Sequence, residues 1–313
     1  MSLLYKITSN KAKIVKAFKD PLFGLSLILN QIAPLIKNDE TFLKWKYYAV
    51  FHRFPNLKKP QTYNEKLQWL KLHDKHPEYT QMVDKAEAKK YVANIIGEEY
   101  IIPTLGVYNS FDDIDFDKLP NQFCLKCTHD SGSYIICKDK STFDIDAARK
   151  KFNRYMKGRF FWYGREWAYK NVKPRIMAQE YIDSLGKPES VEYKLTCFNG
   201  KVKFITVCSG IAHSDYELRK NDHFDRDWNK LDWYAYYKPS GKVIKRPEFM
   251  DEIIEISDKL AEGFPQVRID SYVINEKVYF GEMTFYTWSG LIEFTPDEWD
   301  EKIGSWWNLP EKM

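Results

Sequence analysis

The sequence predicts an α+β protein built around antiparallel strands, and three stretches carry that expectation. Gln266–Thr284 holds two alternating runs on either side of a short polar break at Asn275, Glu276 and Lys277, the pattern of a β-hairpin. Val191–Phe198 and Lys201–Val207 alternate around Asn199-Gly200, a strong hairpin turn. Helical segments separate these strand pairs, among them Asp84–Gly97, which ends at a glycine stop, and Pro247–Gly263.

The rest of the chain is arranged around the Gln266–Thr284 hairpin. If its loop is three residues long, Ile274 faces Val278, Tyr272 faces Phe280, Asp270 lies across from Glu282 and Arg268 lies across from Thr284. Opposed side chains leave the same face of a ladder, and like charges so placed repel by roughly 0.2–1 kcal/mol. A divalent cation between the two acids turns that repulsion into ligation, because Mg2+ is typically held by one or two carboxylates plus substrate phosphates. Arg268 beside them suits a phosphate or a developing anion. A solvated hairpin with its charges outward fits the same alternation, and a two-residue loop would put the acids on opposite faces. On the first of these readings, Asp270→Ala abolishes metal-dependent activity and leaves the fold intact.

The 313 residues suffice for two or three domains, and a 44% hydrophobic, 29% charged composition is that of a soluble globular chain. Aromatic residues make up 16%, a surplus that suits a cleft walled by rings for a sugar or a nucleobase. The net charge of +4 calls for no nucleic-acid partner. That charge is uneven, since residues 1–60 carry 11 Lys/Arg against 3 Asp/Glu. This basic, helical segment either lies on an anionic membrane or a partner, or caps the main body with its lysines in water. Lys6, Lys11, Lys13, Lys16 and Lys19 precede no clean apolar run with a cleavage site, so no secretory signal is expected. Leu22–Ile36 is interrupted by Gln31 and Pro34 and is too short to span a bilayer. Five scattered cysteines point to the reducing cytoplasm.

Taken in order, Thr62-Tyr-Asn-Glu65 is a capped helix start, with the helix running to Leu72. After the 84–97 helix, Ile101–Tyr108 is a strand with an entry proline, and Phe111–Leu119 is an acidic loop or short helix. Gln122–Thr128 is a strand with Phe123, Leu125 and Cys127 on one face and Cys124, Lys126 and Thr128 on the other. The loop His129-Asp-Ser-Gly-Ser133 leads into a returning strand, Tyr134–Lys138, and its amides suit a flap over phosphates. Cys124 and Cys127 lack the second pair that a zinc site needs. Phe143–Lys157 is helical, Lys170–Pro174 connects, and Arg175–Ile182 is a strand ending in the polar turn Asp183–Pro188. Residues 208–246 are expected to form a loop or small lid, with Asp222, His223, Asp225, Arg226 and Trp228 close together, and a Trp-rich tail closes the chain. His129, His213 and His223 are expected at the surface. Taken singly, Lys126, Glu180 and Glu192 would be solvated strand charges.

The order of these parts resembles the ATP-grasp superfamily and, within it, the TupA-like branch named for teichuronopeptide biosynthesis. The phrases Tyr63-Asn-Glu-Lys-Leu-Gln-Trp69, Gly97-Glu-Glu-Tyr-Ile-Ile-Pro103, Leu125-Lys-Cys-Thr-His-Asp-Ser-Gly132 and Phe280-Gly-Glu-Met-Thr-Phe285 carry the resemblance, which covers roughly residues 60 to 290. It implies an ATP-grasp fold, two α+β subdomains gripping ATP between antiparallel sheets, with a helical N-terminal extension. The divisions it implies are a basic segment 1–60, a pre-ATP-grasp-like region 61–120, a small subdomain with the phosphate loop 121–183 and a large subdomain with the Mg2+ site 184–313. Lys89 and Lys126 resemble the lysines that bind nucleotide phosphates, and Ser131, Gly132 and Ser133 the mobile loop that covers them. Glu180, Tyr181 and Ile182 resemble the hinge strand at the adenine, Glu192 the carboxylate on the ribose, and Lys194 a further phosphate contact. Asp270 and Glu282 resemble the Mg2+ ligands and Arg268 the catalytic arginine. Thr284 stands where the family has Asn and would be a weaker ligand.

The resemblance implies an ATP- and Mg2+-dependent carboxylate–amine ligase. It would pass through an acyl phosphate to an amide and act in bacterial capsule or cell-surface polymer synthesis, in the cytoplasm or at the inner face of the membrane. Its expected partners are a small or polymer-linked carboxylate and an amine. Phosphoryl transfer of this kind depends on positioning and charge neutralisation, which matches a set of lysines, an arginine and carboxylates without a nucleophile–base pair. Two alternatives remain open at the level of sequence. One is a metal-dependent glycosyltransferase using Asp222, Asp225 and Asp227. The other is a nucleotide-binding scaffold without turnover.

Overall fold

The computed structural model describes residues 21–183, 187, 190–213 and 215–311. Residues 1–20, with the five early lysines of the basic segment, lie outside the described residues, as does most of the 183–188 turn. The chain opens with α1 (Pro21–Ile32) and α2 (Asp39–Phe51), the latter capped by Asn38, whose side chain accepts from Thr41 N. These helices dock on the body through Arg165, whose buried guanidinium donates to the carbonyls of Ala33 and Ile36, each at 2.7 Å, and lies over the rings of Phe42 and Trp162. The segment's lysines are not all solvated: Lys46 is buried and bonds to Ser26 and Asn30. No helix among the described residues is long and apolar enough to cross a membrane.

Helix α3 (Tyr63–His73) begins with the expected capping box between Thr62 and Glu65. A short α4 (Tyr79–Val83) leads to α5 (Glu87–Ile96), which starts later than the sequence pattern implies. Asp84 does not join that helix; its carboxylate accepts from the amides of Ala86 and Glu87 and turns the chain into it. Gly97, at φ +110°, terminates α5. Strand β1 (Thr104–Tyr108) is shorter than expected, and 3-10 turns occupy much of 111–118. Next come β2 (Phe123–Cys127), β3 (Tyr134–Cys137), α6 (Ile145–Tyr155), α7 (Phe161–Gly164) and β4 (Ile176–Glu180). These strands form a four-stranded antiparallel sheet in the order β1-β4-β2-β3. One face of it, with Phe123, Leu125, Cys127, Ile176 and Ala178, is covered by Phe111 and by Ala148 and Phe152 of α6.

The second sheet uses β5 (Val191–Phe198), β6 (Lys201–Ser209), β7 (Lys220–Asp225) and β8 (Lys230–Leu231), then α8 (Met250–Ala261), β9 (Gln266–Ile274) and β10 (Lys277–Thr284). Its order is β10-β9-β5-β6-β7-β8, antiparallel throughout. Ile253, Ile254 and Leu260 of α8 pack with Leu195, Ile205, Val267 and Ile269 on its back. Each such side chain contributes about 1.5–3 kcal/mol by leaving water. Helix α9 (Trp299–Ser305) closes the chain against α3, where Asp300 accepts from Asn64 N at 2.9 Å.

The expected loop at 208–246 needs correction, because β7 and β8 lie inside it as strands of the large sheet. Lys220–Asp225 carries one apolar residue, Phe224, so its alternation is hidden; its central polar side chains, Asn221, Asp222 and His223, are buried instead of solvated.

Candidate functional site

The front of the large sheet is polar in ordered rows. Glu282, Asp270, Lys194, Thr206 and His223 are successive partners across β10, β9, β5, β6 and β7. The row on one side is Thr284, Arg268, Thr196 and Phe204, and the row on the other is Tyr272, Glu192, Cys208 and Asn221. Directly paired residues share a face, so these side chains leave the sheet together.

The pairing of Asp270 with Glu282 and of Arg268 with Thr284 is the expected one, but the chain reaches it differently. The turn has two residues, not three: Asn275 and Glu276, both at positive φ, with Ile274 paired to Lys277. Consequently Tyr272 faces Tyr279, not Phe280, and Ile274 does not face Val278. A bulge at Gly281 then shifts the register by one residue and restores Asp270 opposite Glu282. A Cβ on Gly281 would lie 2.8 Å from the Tyr272 ring and 2.9 Å from the Asp270 carbonyl oxygen, so the bulge needs glycine.

The two acids differ in setting. Asp270 is 1% exposed, and Arg268 grips it with Nε at 2.6 Å and Nη2 at 2.8 Å. Lys194 Nζ reaches Asp270 at 2.6 Å and Glu192 at 3.0 Å. Burial opposes the charge on Asp270, but Arg268 and Lys194 outweigh it and hold the carboxyl below its usual range. Glu282 has a side chain 43% exposed and meets Arg268 Nη2 at 3.2 Å. Thr284 Oγ1 accepts from Arg268 at 3.1 Å and donates to Glu282 at 3.3 Å.

A cluster of lysines stands on the other side of the cleft. Lys89 Nζ donates to the Ile102 carbonyl at 2.6 Å, and burial, then the charge of Lys126, push its pKa down to about 7. Lys85 donates to the carbonyl of Asp130, and its pKa is lowered by burial and by Lys126 against the pull of Glu282 and Asp130. Lysines that depress one another's charge form a natural seat for a polyanion. The β2–β3 loop rises beside them, with Gly132 at φ +83° and open space where its Cβ would be. Ser133 donates to the Asp130 carboxylate. Glu180 ends β4 exposed, followed by the half-buried Tyr181 and Ile182, where the chain passes from the small sheet towards the large one.

A cavity of about 620 Å³ lies on the front of the large sheet. Ser131, Glu192, Lys194, Arg268, Glu282 and Thr284 line it, while Lys89, Lys126, Gly132, Ser133, Glu180, Tyr181, Ile182 and the covered Asp270 lie outside its walls. The opposite wall brings in Glu166, whose pKa is raised by burial against the charge of Lys71. Lys71 bonds to Ser289 Oγ at 2.8 Å, and burial pushes it down to about 7. Trp288 and Ser289 are held at φ +49° and +57° on the same wall, left-handed conformations that cost side-chain-bearing residues about 1–2 kcal/mol each.

Sequence inspection passed over Lys85 and Glu166. The i,i+4 spacing of Lys85 and Lys89 was a usable signal; a lone Glu in the Arg165-Glu166-Trp167 stretch was not. Two of the three histidines expected at the surface are buried, His129 at 3% exposure and His223 at 3%, the latter stacked on Trp233. Asp222, Asp225 and Asp227 do not converge: Asp222 is buried and accepts from Ser240 N, while Asp225 caps its own turn at Asp227 and Asn229. Among the described residues no group of three or more His, Cys, Asp or Glu is placed to hold a metal alone. Asp270 and Glu282 are two opposed carboxylates, a number that can serve an ion whose other ligands come from phosphates.

The family model for TupA-like ATP-grasp proteins matches residues 65–307. A search among proteins of curated function finds no match. The fold is similar to D-alanine–D-alanine ligase from Bacillus anthracis complexed with ATP, at 16% identity and TM-score 0.38, over 66% of this chain and 55% of that one. It is also similar to the ADP complex of the N5-carboxyaminoimidazole ribonucleotide synthetase PurK (13%, TM-score 0.41, 70% and 49%). A RimK-domain ATP-grasp protein from Sphaerobacter thermophilus is similar at 11% identity and TM-score 0.38, over 72% and 68%. The chain thus spans about half the length of the first two. With its matched region covering both sheets, the chain belongs to the TupA-like ATP-grasp family.

Proposed function

We propose that the protein is an ATP-dependent carboxylate–amine ligase that forms an amide through an acyl phosphate. The observation that carries this is the row Glu282–Asp270–Lys194 beside Arg268, set in a cavity that the β2–β3 loop enters through Ser131. Lys85, Lys89 and Lys126 hold the polyphosphate, and Ser131, Gly132 and Ser133 close over it. Glu180, Tyr181 and Ile182 receive the adenine, and Glu192 the ribose. Asp270 and Glu282 would hold Mg2+, which would supply charge neutralisation at the phosphates. Arg268 keeps Asp270 ionised and supplies a cation to the developing charge, with Thr284 aligning Glu282. The γ-phosphoryl passes to a substrate carboxylate with departure of ADP, and an amine then displaces phosphate to leave an amide.

The carboxylate and amine belong to bacterial capsule or cell-surface polymer synthesis. Incubation with Mg-ATP and paired carboxylates and amines, following ADP and phosphate, tests the proposal. Release stimulated by both substrates supports a ligase. UDP release from UDP-sugars without ATP use would point to a glycosyltransferase, and nucleotide binding without turnover to a scaffold. The separation of Asp222, Asp225 and Asp227 speaks against the former.

A further inference from the structure

The cavity continues past the acids, and its far end has a different chemistry. Beyond Lys194 the same row of the sheet carries Thr206 and His223, and the adjacent row ends at Asn221. At a strand spacing of about 4.8 Å, His223 lies three strands, roughly 14 Å, from Asp270. The charged residues that line the cavity, Glu166, Glu192, Lys194, Arg268 and Glu282, all belong to the near end or its facing wall.

Three polar side chains line the far end, each more than nine-tenths buried: Asn221 at 8%, His223 at 3% and Trp233 at 7% exposure. Asn221 Oδ1, His223 Nε2 and Trp233 Nε1 have no hydrogen-bond partner. Buried polar groups without partners are costly, so a ligand that pairs them is favoured. His223 shares Nδ1 with Thr206 Oγ1 at 3.0 Å and stacks on Trp233, and burial pushes its pKa down to about 3, so it is neutral. The set therefore offers donors and acceptors without charge. Trp288 also lines the cavity, half exposed and stacked on Tyr236, and offers an aromatic face to a ring held there.

We infer that the β6–β7 end of the cavity is a subsite for an uncharged, hydroxyl-bearing ring, a glycosyl unit of the substrate whose reacting end lies at Lys194 and Arg268. Neutral amide, imidazole and indole groups pair with hydroxyls, an aromatic face covers the apolar side of a sugar ring, and a charged ligand finds no counter-ion there. The inference rests on the ligase reading for the position of the reacting end, but binding at the subsite is measurable without nucleotide.

Saturation-transfer NMR on the full-length protein with D-glucose, D-galactose, N-acetyl-D-glucosamine and D-glucuronate as probes tests it, with Mg-ATP binding followed separately by calorimetry. Transfer to at least one of the three neutral sugars is expected, with none to D-glucuronate, and it is expected to weaken about tenfold or more in Asn221→Leu and in His223→Phe, with Mg-ATP affinity unchanged. Trp288→Ala, at a half-exposed position, serves if the buried variants fail to fold and is expected to weaken the same probe. Absence of transfer to all three neutral sugars, transfer to D-glucuronate alone, or transfer that the variants leave unchanged would overturn the subsite. A protein that binds a probe but not Mg-ATP would overturn the ligase reading alone.

Discussion

Gly281 lies so close to Asp270 that a Cβ on it would come within 2.9 Å of the Asp270 carbonyl oxygen. The bulge at this glycine brings Glu282 opposite Asp270 after a two-residue turn that would otherwise send the acids to opposite faces. Gly281→Val forces the bulge to open or move. The expected outcome is a loss of about 1–3 kcal/mol of stability from overpacking and loss of Mg2+-dependent ATP binding. Denaturant melts and calorimetry check the two effects, and a variant that keeps Mg-ATP affinity would show that the bulge does not set the site.

Asp270 and Glu282 are predicted to respond differently to neutralisation. Asp270 is the buried partner shared by Arg268 and Lys194, so Asp270→Ala leaves these cations only the more exposed Glu282 and Glu192 and is expected to cost about 3–5 kcal/mol. That cost sets the burial of Asp270 against the sequence-based expectation of an intact fold, and a melting curve decides between them. Glu282→Gln removes one partly exposed ion pair, worth about 0–1 kcal/mol, and is expected to melt close to the wild type while losing metal-dependent ATP use. Paired melting curves and ADP-release rates distinguish the two.

Lys89, pushed down to about 7 by burial and by Lys126, is mostly neutral at pH 8 without nucleotide. A bound polyphosphate favours its charged form, so binding at pH 8 takes up a proton and ATP affinity falls as pH rises from 7 towards 9. Because the folded pKa lies below the unfolded value, the lysine's destabilising effect is full below pH 7 and fades as pH rises towards 10.5. Calorimetry in buffers of different ionisation enthalpy measures the uptake. Lys89→Met is expected to abolish it.

Much of the site was legible because it is local in sequence. The alternation in 266–284 places Arg268, Asp270, Glu282 and Thr284 on one face, and the capping box at Thr62–Glu65 announces α3. What stayed hidden depends on burial. Strand β7 carries Asn221, Asp222 and His223 into the interior, against the rule that a polar run is a loop, because a sheet face that lines a cavity is polar and buried at once. Glu166 gains its place from contact with Lys71 and Ser289 across more than ninety residues, which no local pattern encodes. The turn length at Asn275–Glu276 and the bulge at Gly281 offset one another, so the right pairing followed from the wrong loop.

Titration with a non-hydrolysable ATP analogue, with and without Mg2+, tests most directly whether Asp270 and Glu282 share a cation. In the wild type Mg2+ is expected to tighten binding by about tenfold or more, at least about 1.4 kcal/mol, and in Glu282→Gln to have no such effect. Equal wild-type affinity with and without the ion, or the same enhancement in Glu282→Gln, would contradict a metal held between these two carboxylates.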